Sequence, residues 1–216
     1  DSSRAPVCIE GAALWGAARV VAEEHRPTWG GIVDLAPAAP ASAQAASLAH
    51  PLLSGDAEDQ CALRLPAHAP GAAPQRLALR LMPAEPSGHP PARVPAASHR
   101  AAIEAAGAAV HVVALDVGDD DAVAGFLHTW EAEAWPRIRG VVHAAGRFDN
   151  DLAVTLSPAQ FDATMRPKLD AARTLDRLLP DLDLFALFSS TGAVLAQPGQ
   201  AGYAAANAGL DALAAD

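Results

Sequence analysis

Tyr203 and Lys168 are the single tyrosine and the single lysine of this 216-residue chain. A phenol in water has a pKa of about 10. To give or take a proton near neutral pH it needs a neighbouring cation that favours phenolate. Lowering that pKa by roughly two to three units takes roughly 3–4 kcal/mol of differential interaction. One ammonium group supplies an effect of that kind, and the Ser190 hydroxyl offers a hydrogen bond to the same substrate oxygen. Singly, each residue has an ordinary explanation: a helix tyrosine packing its ring, a surface lysine, a serine ending a strand. The signal is the ordered set, with Lys168 upstream, then Ser189-Ser190, a Gly/Pro loop, and Tyr203 four residues before Asn207.

Such a set needs elements to position it. The apolar run Leu184 to Phe188 is too short for a helix and reads as a buried strand. Gly192, Pro198, Gly199 and Gly202 mark a loop, and an Ala-rich helix starts near Gly202. A spacing of four puts Tyr203 and Asn207 on one helix face. Gly140 to Gly146 reads as a second buried strand entering a tight turn, and Ser157 caps a helix running to about Leu179 that carries Lys168. Val110 to Val117 reads as a further buried strand, and Asp119 to Trp135 as an amphipathic helix with three Asp at its start. Ala101 to Ala106 is a helix end closed by Gly107. Towards the amino terminus, Gly11–His25 and Ser42–Leu53 read as helices, and Gly30–Leu35, Asp59–Leu65 and Gln75–Met82 as strands. Alternating strands and helices of this size predict an α/β fold, a doubly wound parallel sheet with helices on both faces. Ligands then bind at the carboxyl ends of the strands.

The stretch Leu184–Asn207 closely resembles the catalytic core of the ketoreductase domains of modular polyketide synthases, within the short-chain dehydrogenase/reductase superfamily. Most of that superfamily carries Tyr-x-x-x-Lys with an Asn on the preceding helix. The polyketide branch exchanges the two, and Tyr203-x-x-x-Asn207 with Lys168 upstream follows the exchange. The resemblance implies a Rossmann-like fold that binds NADPH. Tyr203 would be the general acid and Ser190 would polarise the ketone. Lys168 would lower the phenol's pKa and hold the nicotinamide ribose, and Asn207 would support a proton-relay water. It implies cofactor contacts at Asp116 and Val117, which resemble the Asp-Val that meets the adenine. It implies others at Ala144, Ala145 and Gly146, in a His143-led turn. Asp116 has an equally simple reading as a strand-end carboxylate capping a turn. The implied substrate is a β-ketoacyl chain on the phosphopantetheine of an acyl carrier protein, with other synthase domains as neighbours.

By the same resemblance, residues 1–83 form a truncated structural Rossmann-like subdomain, carried by Leu14-Trp15-Gly16 through Trp29-Gly30-Gly31-Ile32-Val33-Asp34-Leu35. Residues 84–99 are a Pro-rich linker, and 100–216 the catalytic subdomain. The formal charge of −10 argues against nucleic acid, whose phosphates demand a basic face. No apolar run is long enough to span a bilayer, and no secretory signal is visible. Cys8 and Cys61 read as buried free thiols in a cytoplasmic protein. The histidines show no metal-ligand spacing, and Trp15, Trp29, Trp130 and Trp135 read as core anchors. Abundant Ala, Arg, Pro and Gly with scarce Lys fit a GC-rich bacterial genome.

The chain departs from the family in one respect that matters. A dinucleotide fold needs a glycine-rich turn after its first strand, so that the next helix's N-terminus receives the pyrophosphate. Neither Gly-x-Gly-x-x-Gly nor Thr-Gly-x-x-x-Gly-x-Gly occurs. The linker is too short for a strand–turn–helix–strand unit of about 30 residues. Either the intact polypeptide carries that unit between Met82 and Val110, or the phosphate cradle is lost and the chain is a reductase-silent structural module. The fingerprints of alcohol handedness, Phe148-Asp149-Asn150 and Leu195, match neither family subgroup.

Overall fold

The structure is a computed structural model that describes residues 8–35, 40–53, 60–64, 75–77 and 99–215. The linker, the strand residues beyond Leu77 and the side chain of Cys61 lie outside the described residues. Of the described residues, those from 8 to 77 and from 116 to 215 belong to one compact unit, and those from 99 to 115 to a separate one.

Helix α1 (Ile9–Glu24) starts on Cys8, whose Sγ accepts a hydrogen bond from the Gly11 amide at 3.2 Å. Cys8 is therefore exposed, contrary to the expected burial: a capping residue sits where the orphan amides face solvent. The helix stops ahead of Pro27, which has no amide hydrogen to continue it. Next come β1 (Ile32–Asp34), α2 (Ala41–Leu53), β2 (Gln60–Arg64) and β3 (Gln75–Leu77). β1 pairs parallel with β2 in the register Ile32↔Gln60, and β2 antiparallel with β3.

In the smaller unit, α3 (His99–Ala105) is closed by Gly107 at φ +91°, a left-handed turn that favours glycine. The expected strand Val110–Val117 does not form among the described residues. Val112 and Val113 are 78% and 53% exposed. An apolar run becomes a strand only by pairing its backbone, and this one has no ladder partner among the described residues.

The Asp-rich start predicted for the next helix is present as α4 (Asp120–Ala132). Asp119 accepts from the Ala122 amide at 3.0 Å, and Asp120 and Asp121 lie in the first turn. β4 (Gly140–His143) leads through a long loop to α5 (Pro158–Met165), opened by a reciprocal capping box between Ser157 and Gln160. A wide π turn, Arg166–Asp170, joins α5 to α6 (Ala171–Leu178), and β5 (Leu184–Leu187) pairs parallel with β4 from Gly140↔Leu184 to His143↔Leu187. Val142 and Leu184 are 61% and 56% exposed, so these strands are not buried on both faces as expected. Parallel strands are covered on both faces only where helices and further strands flank them.

Helix α7 (Ala201–Leu213) is the most buried element, with ten buried positions, most of them Ala or Gly. Small side chains let α1 approach it closely: a Cβ on Gly16 would lie 2.4 Å from the Ala204 carbonyl oxygen. Leu169, Ala172 and Leu210 form one apolar cluster with Met165, Phe185 and Leu187, and Val20, Ala201 and Ala204 a second with Ala153, Leu156 and Ala196. The core is thus built mainly of alanine, with leucine and valine. All four tryptophans are only half buried, contrary to expectation; Trp130 packs with Phe126 and Trp135 at ring separations of 5.7 and 5.0 Å.

Candidate functional site

The site gathers where β4 and β5 end, at the start of α7. β5 delivers Phe188, Ser189 and Ser190 to this edge. The Ser190 hydroxyl accepts from the Gly192 amide at 3.1 Å and opens a short 3-10 turn, Thr191–Ala193. Gly192 lies between the Ser190 hydroxyl and the edge of the Tyr203 ring: a Cβ there would lie 3.5 Å from Ser190 Oγ and 3.6 Å from Tyr203 Cδ1. The Ser190 hydroxyl and the Tyr203 ring thus flank the same glycine.

Lys168 lies in the π turn and is only 5% exposed. Its Nζ donates to the Phe188 carbonyl at 2.8 Å and sits 5.6 Å from the centre of the Tyr203 ring. Burial pushes the Lys168 ammonium below the ordinary lysine value, and the charges of Tyr203 and Asp211 push it back up. An ammonium has three donor hydrogens, so the one hydrogen bond it makes among the described residues leaves capacity for a ligand hydroxyl. A π turn is a common device at functional sites, because the extra residue re-aims a side chain without ending the helix.

Asn207 is fully buried. Its Nδ2 donates to the Tyr203 carbonyl at 2.7 Å, and its Oδ1 has no hydrogen-bond partner. An unpaired buried acceptor costs about 1–3 kcal/mol unless something occupies it. A donor reaching this oxygen would remove that cost. Ala144, Ala145 and Gly146 follow β4 directly, and a Cβ on Gly146 would be 3.9 Å from both Cδ and Nζ of Lys168. Asp116 lies in a separate turn, where its Oδ1 accepts from the Gly118 amide at 2.9 Å. With Val117 it borders the π turn, since Arg166 donates to the Gly118 carbonyl at 3.1 Å.

Two contacts escape sequence reasoning. His143 is 4% exposed, and its Nε2 pairs with the Lys168 carbonyl at 2.8 Å, tying β4 to the π turn. Burial holds its imidazole below the usual value; the hydrogen bond to Lys168 works against this and the lysine charge works with it. Phe148 lies over Tyr203 with ring centres 4.3 Å apart. In the sequence His143 stands out only as part of the turn motif, and nothing there marks Phe148 as a partner of the phenol ring.

Residues 84–216 match the KR domain family model. The chain belongs to the KR domain family. Ketoreductase domains of this kind are oxidoreductases of the short-chain dehydrogenase/reductase type and use a nicotinamide cofactor. The chain is 36% identical, over 94% of its length, to 14% of the 5-methyl-1-naphthoate synthase of Streptomyces sahachiroi. It is 48% identical, over 56% of its length, to 8% of a phenolphthiocerol synthesis polyketide synthase of Mycobacterium tuberculosis whose name provisionally calls it inactive. Among solved structures it is similar to the ketoreductase from the first module of phoslactomycin biosynthesis in Streptomyces sp. HK803. That match has a TM-score of 0.77 and 32% identity, over 99% of this chain and 57% of that one. The ketoreductase domain described here therefore spans 14% or less of these curated relatives and about half of the solved chain. The alignment with the Streptomyces sahachiroi synthase runs over 251 residues, 35 more than this chain contains, so at least that many positions of the relative have no counterpart here.

Among the described residues no helix is long and apolar enough to cross a membrane, and no group of three or more His, Cys, Asp or Glu is placed to hold a metal.

Proposed function

We propose that this ketoreductase domain reduces the β-ketone of an acyl thioester carried by the phosphopantetheine of an acyl carrier protein, within a cytoplasmic polyketide synthase and with NADPH as cofactor. The observation that carries the reading is the meeting of a buried ammonium, a phenol and a hydroxyl at one sheet edge. The residues present fit the nicotinamide and ribose end of such a cofactor. Lys168 has donor capacity left over, Gly146 leaves room beside it, and Asn207 presents an orphaned buried acceptor. When bound, the cofactor supplies a hydride to the ketone carbon. Ser190 and Tyr203 share the ketone oxygen by hydrogen bonds, Tyr203 passes its proton to that oxygen, and the product is the secondary alcohol. Lys168 opposes the negative charge left on the phenol oxygen, and a water on Asn207 Oδ1 would return the proton. Asp116 and Val117 would border the adenine end, with Ala144, Ala145 and Gly146 along the cofactor's edge.

The pyrophosphate is different. Its cradle needs a glycine-rich turn opening a helix, and the sequence offers none. This favours a second reading, a structural module that has lost cofactor binding and reduces nothing. The relative's unmatched positions, at least 35, are enough for a strand–turn–helix–strand unit of about 30 residues, which is what the reductase reading requires of the intact polypeptide. The deciding experiment incubates the intact protein with NADPH and a β-ketoacyl thioester. Turnover abolished by Tyr203→Phe supports the reductase. Absence of turnover, or turnover indifferent to Tyr203→Phe, refutes it, and tight NADPH binding seen by cofactor fluorescence eliminates the silent module.

A further inference from the structure

One end of α1 reaches three loops around Tyr203. The Glu24 carboxylate accepts two backbone hydrogen bonds, from the Ala153 amide to Oε2 and from the Gly199 amide to Oε1, each 2.7 Å. The first amide lies in the loop after β4 that carries Phe148, whose ring covers Tyr203. The second lies four residues before Tyr203, at a glycine with φ +82°. A bridge between Asp151 and Gln200 joins the same two loops. One turn earlier on α1, Arg19 donates to the Ala193 carbonyl at 2.6 Å, in the 3-10 turn that Ser190 opens. Between them Val20, fully buried, packs on Ala201, Ala204 and Ala153.

We infer that Glu24 is a positioning residue for the reduction. It fixes the spacing of the loops that place Phe148 over the Tyr203 ring and set the first turn of α7. An ionised carboxylate is suited to this role, because each oxygen accepts from an amide and a charged acceptor holds shorter, stronger bonds than a neutral one. Glutamine cannot replace it: its amide nitrogen would face an amide hydrogen, donor against donor. Arg19 does for the Ser190 turn what Glu24 does for the other two loops. The segment assigned to the structural half is thereby part of the apparatus that orients the reacting groups. The inference rests on the reductase reading for its catalytic consequence and on geometry alone for the clamp.

The test uses Glu24→Gln, Glu24→Asp and Arg19→Met in the intact protein. It combines steady-state reduction of a β-ketoacyl thioester, thermal unfolding, and amide hydrogen exchange of segments 150–156 and 197–200. Glu24→Gln is expected to lower kcat about 10- to 100-fold, the range that an ångström of misplacement produces. The loss should exceed any fall in the folded fraction, exchange should quicken in both segments but not in α4, and Glu24→Asp should restore part of kcat. If Glu24→Gln fails to fold, Arg19→Met is expected to lower kcat in the same way, with faster exchange at 190–195. Wild-type kcat and exchange in Glu24→Gln overturn the inference, as does an activity loss that only tracks unfolding. If the wild-type protein itself reduces nothing, the reductase reading fails, and the exchange of the two loops alone decides whether Glu24 clamps them.

Discussion

Replacing Gly16 by alanine adds one methyl group where α1 crosses α7. That methyl carbon would lie 2.4 Å from the Ala204 carbonyl oxygen, 2.8 Å from its carbon and 2.9 Å from the Ala208 Cβ. Ordinary contact begins at 3.4 Å, so the helices must part by about 1 Å, and the atoms in the way are backbone. Overpacking of this kind costs about 1–3 kcal/mol. Alanine returns about 1 kcal/mol through helix propensity. With rigid backbone as the obstacle, the net loss is expected to be about 2 kcal/mol, or roughly 4–8 °C in Tm for a chain of this length. Ala204 and Ala208 each adjoin a residue of the proposed site, Tyr203 and Asn207, so on the reductase reading kcat is expected to fall by up to about 100-fold. Gly125, exposed in α4 with nothing within 4 Å of its missing Cβ, supplies the control. Gly125→Ala is expected to gain about 0.5–1 kcal/mol from propensity alone. Thermal unfolding and turnover of the two variants side by side test the reasoning. If Gly16→Ala raises Tm as Gly125→Ala does and keeps wild-type kcat, the close helix crossing does not govern the site.

Three further outcomes are expected. Burial holds the His143 pKa below 6.5, so the unfolded state binds the proton more readily. Stability should therefore fall as pH drops from 6.5 through the folded-state value, and Tm should fall less in His143→Gln than in wild type over that window. Ala134, a non-glycine residue at φ 55° after α4, carries a left-handed penalty. Ala134→Gly should raise stability by about 1 kcal/mol in urea unfolding. Ser157→Ala removes half of the capping box ahead of α5 and should cost about 1 kcal/mol by the same measurement.

The elements that hold Tyr203, Ser190 and Asn207 are legible because local patterns dictate them: an apolar run, a Gly/Pro loop, a small-residue helix. Ser157 and Asp119 announce their helices through side chains that bond amides three residues on. The strand at Val110–Val117 misleads because its apolar pattern is a statement about partners that the described residues do not supply. The pairings of Lys168 with Phe188 and of Glu24 with Ala153 and Gly199 span 20, 129 and 175 residues, and no local pattern encodes them. Pro167 is an intermediate case: a proline inside a helical pattern forbids one amide bond and signals an irregular turn.

That turn also changes how the helix around it should be read. A helical wheel drawn straight from Ser157 to Leu179 falls out of phase by one residue at Arg166–Asp170, about a third of a revolution. Deleting a single residue from the turn would restore the phase and swing the ammonium of Lys168 off the sheet edge, while leaving helix content and overall composition almost untouched. The number of residues between Met165 and Ala171 thus decides where the Lys168 ammonium is aimed.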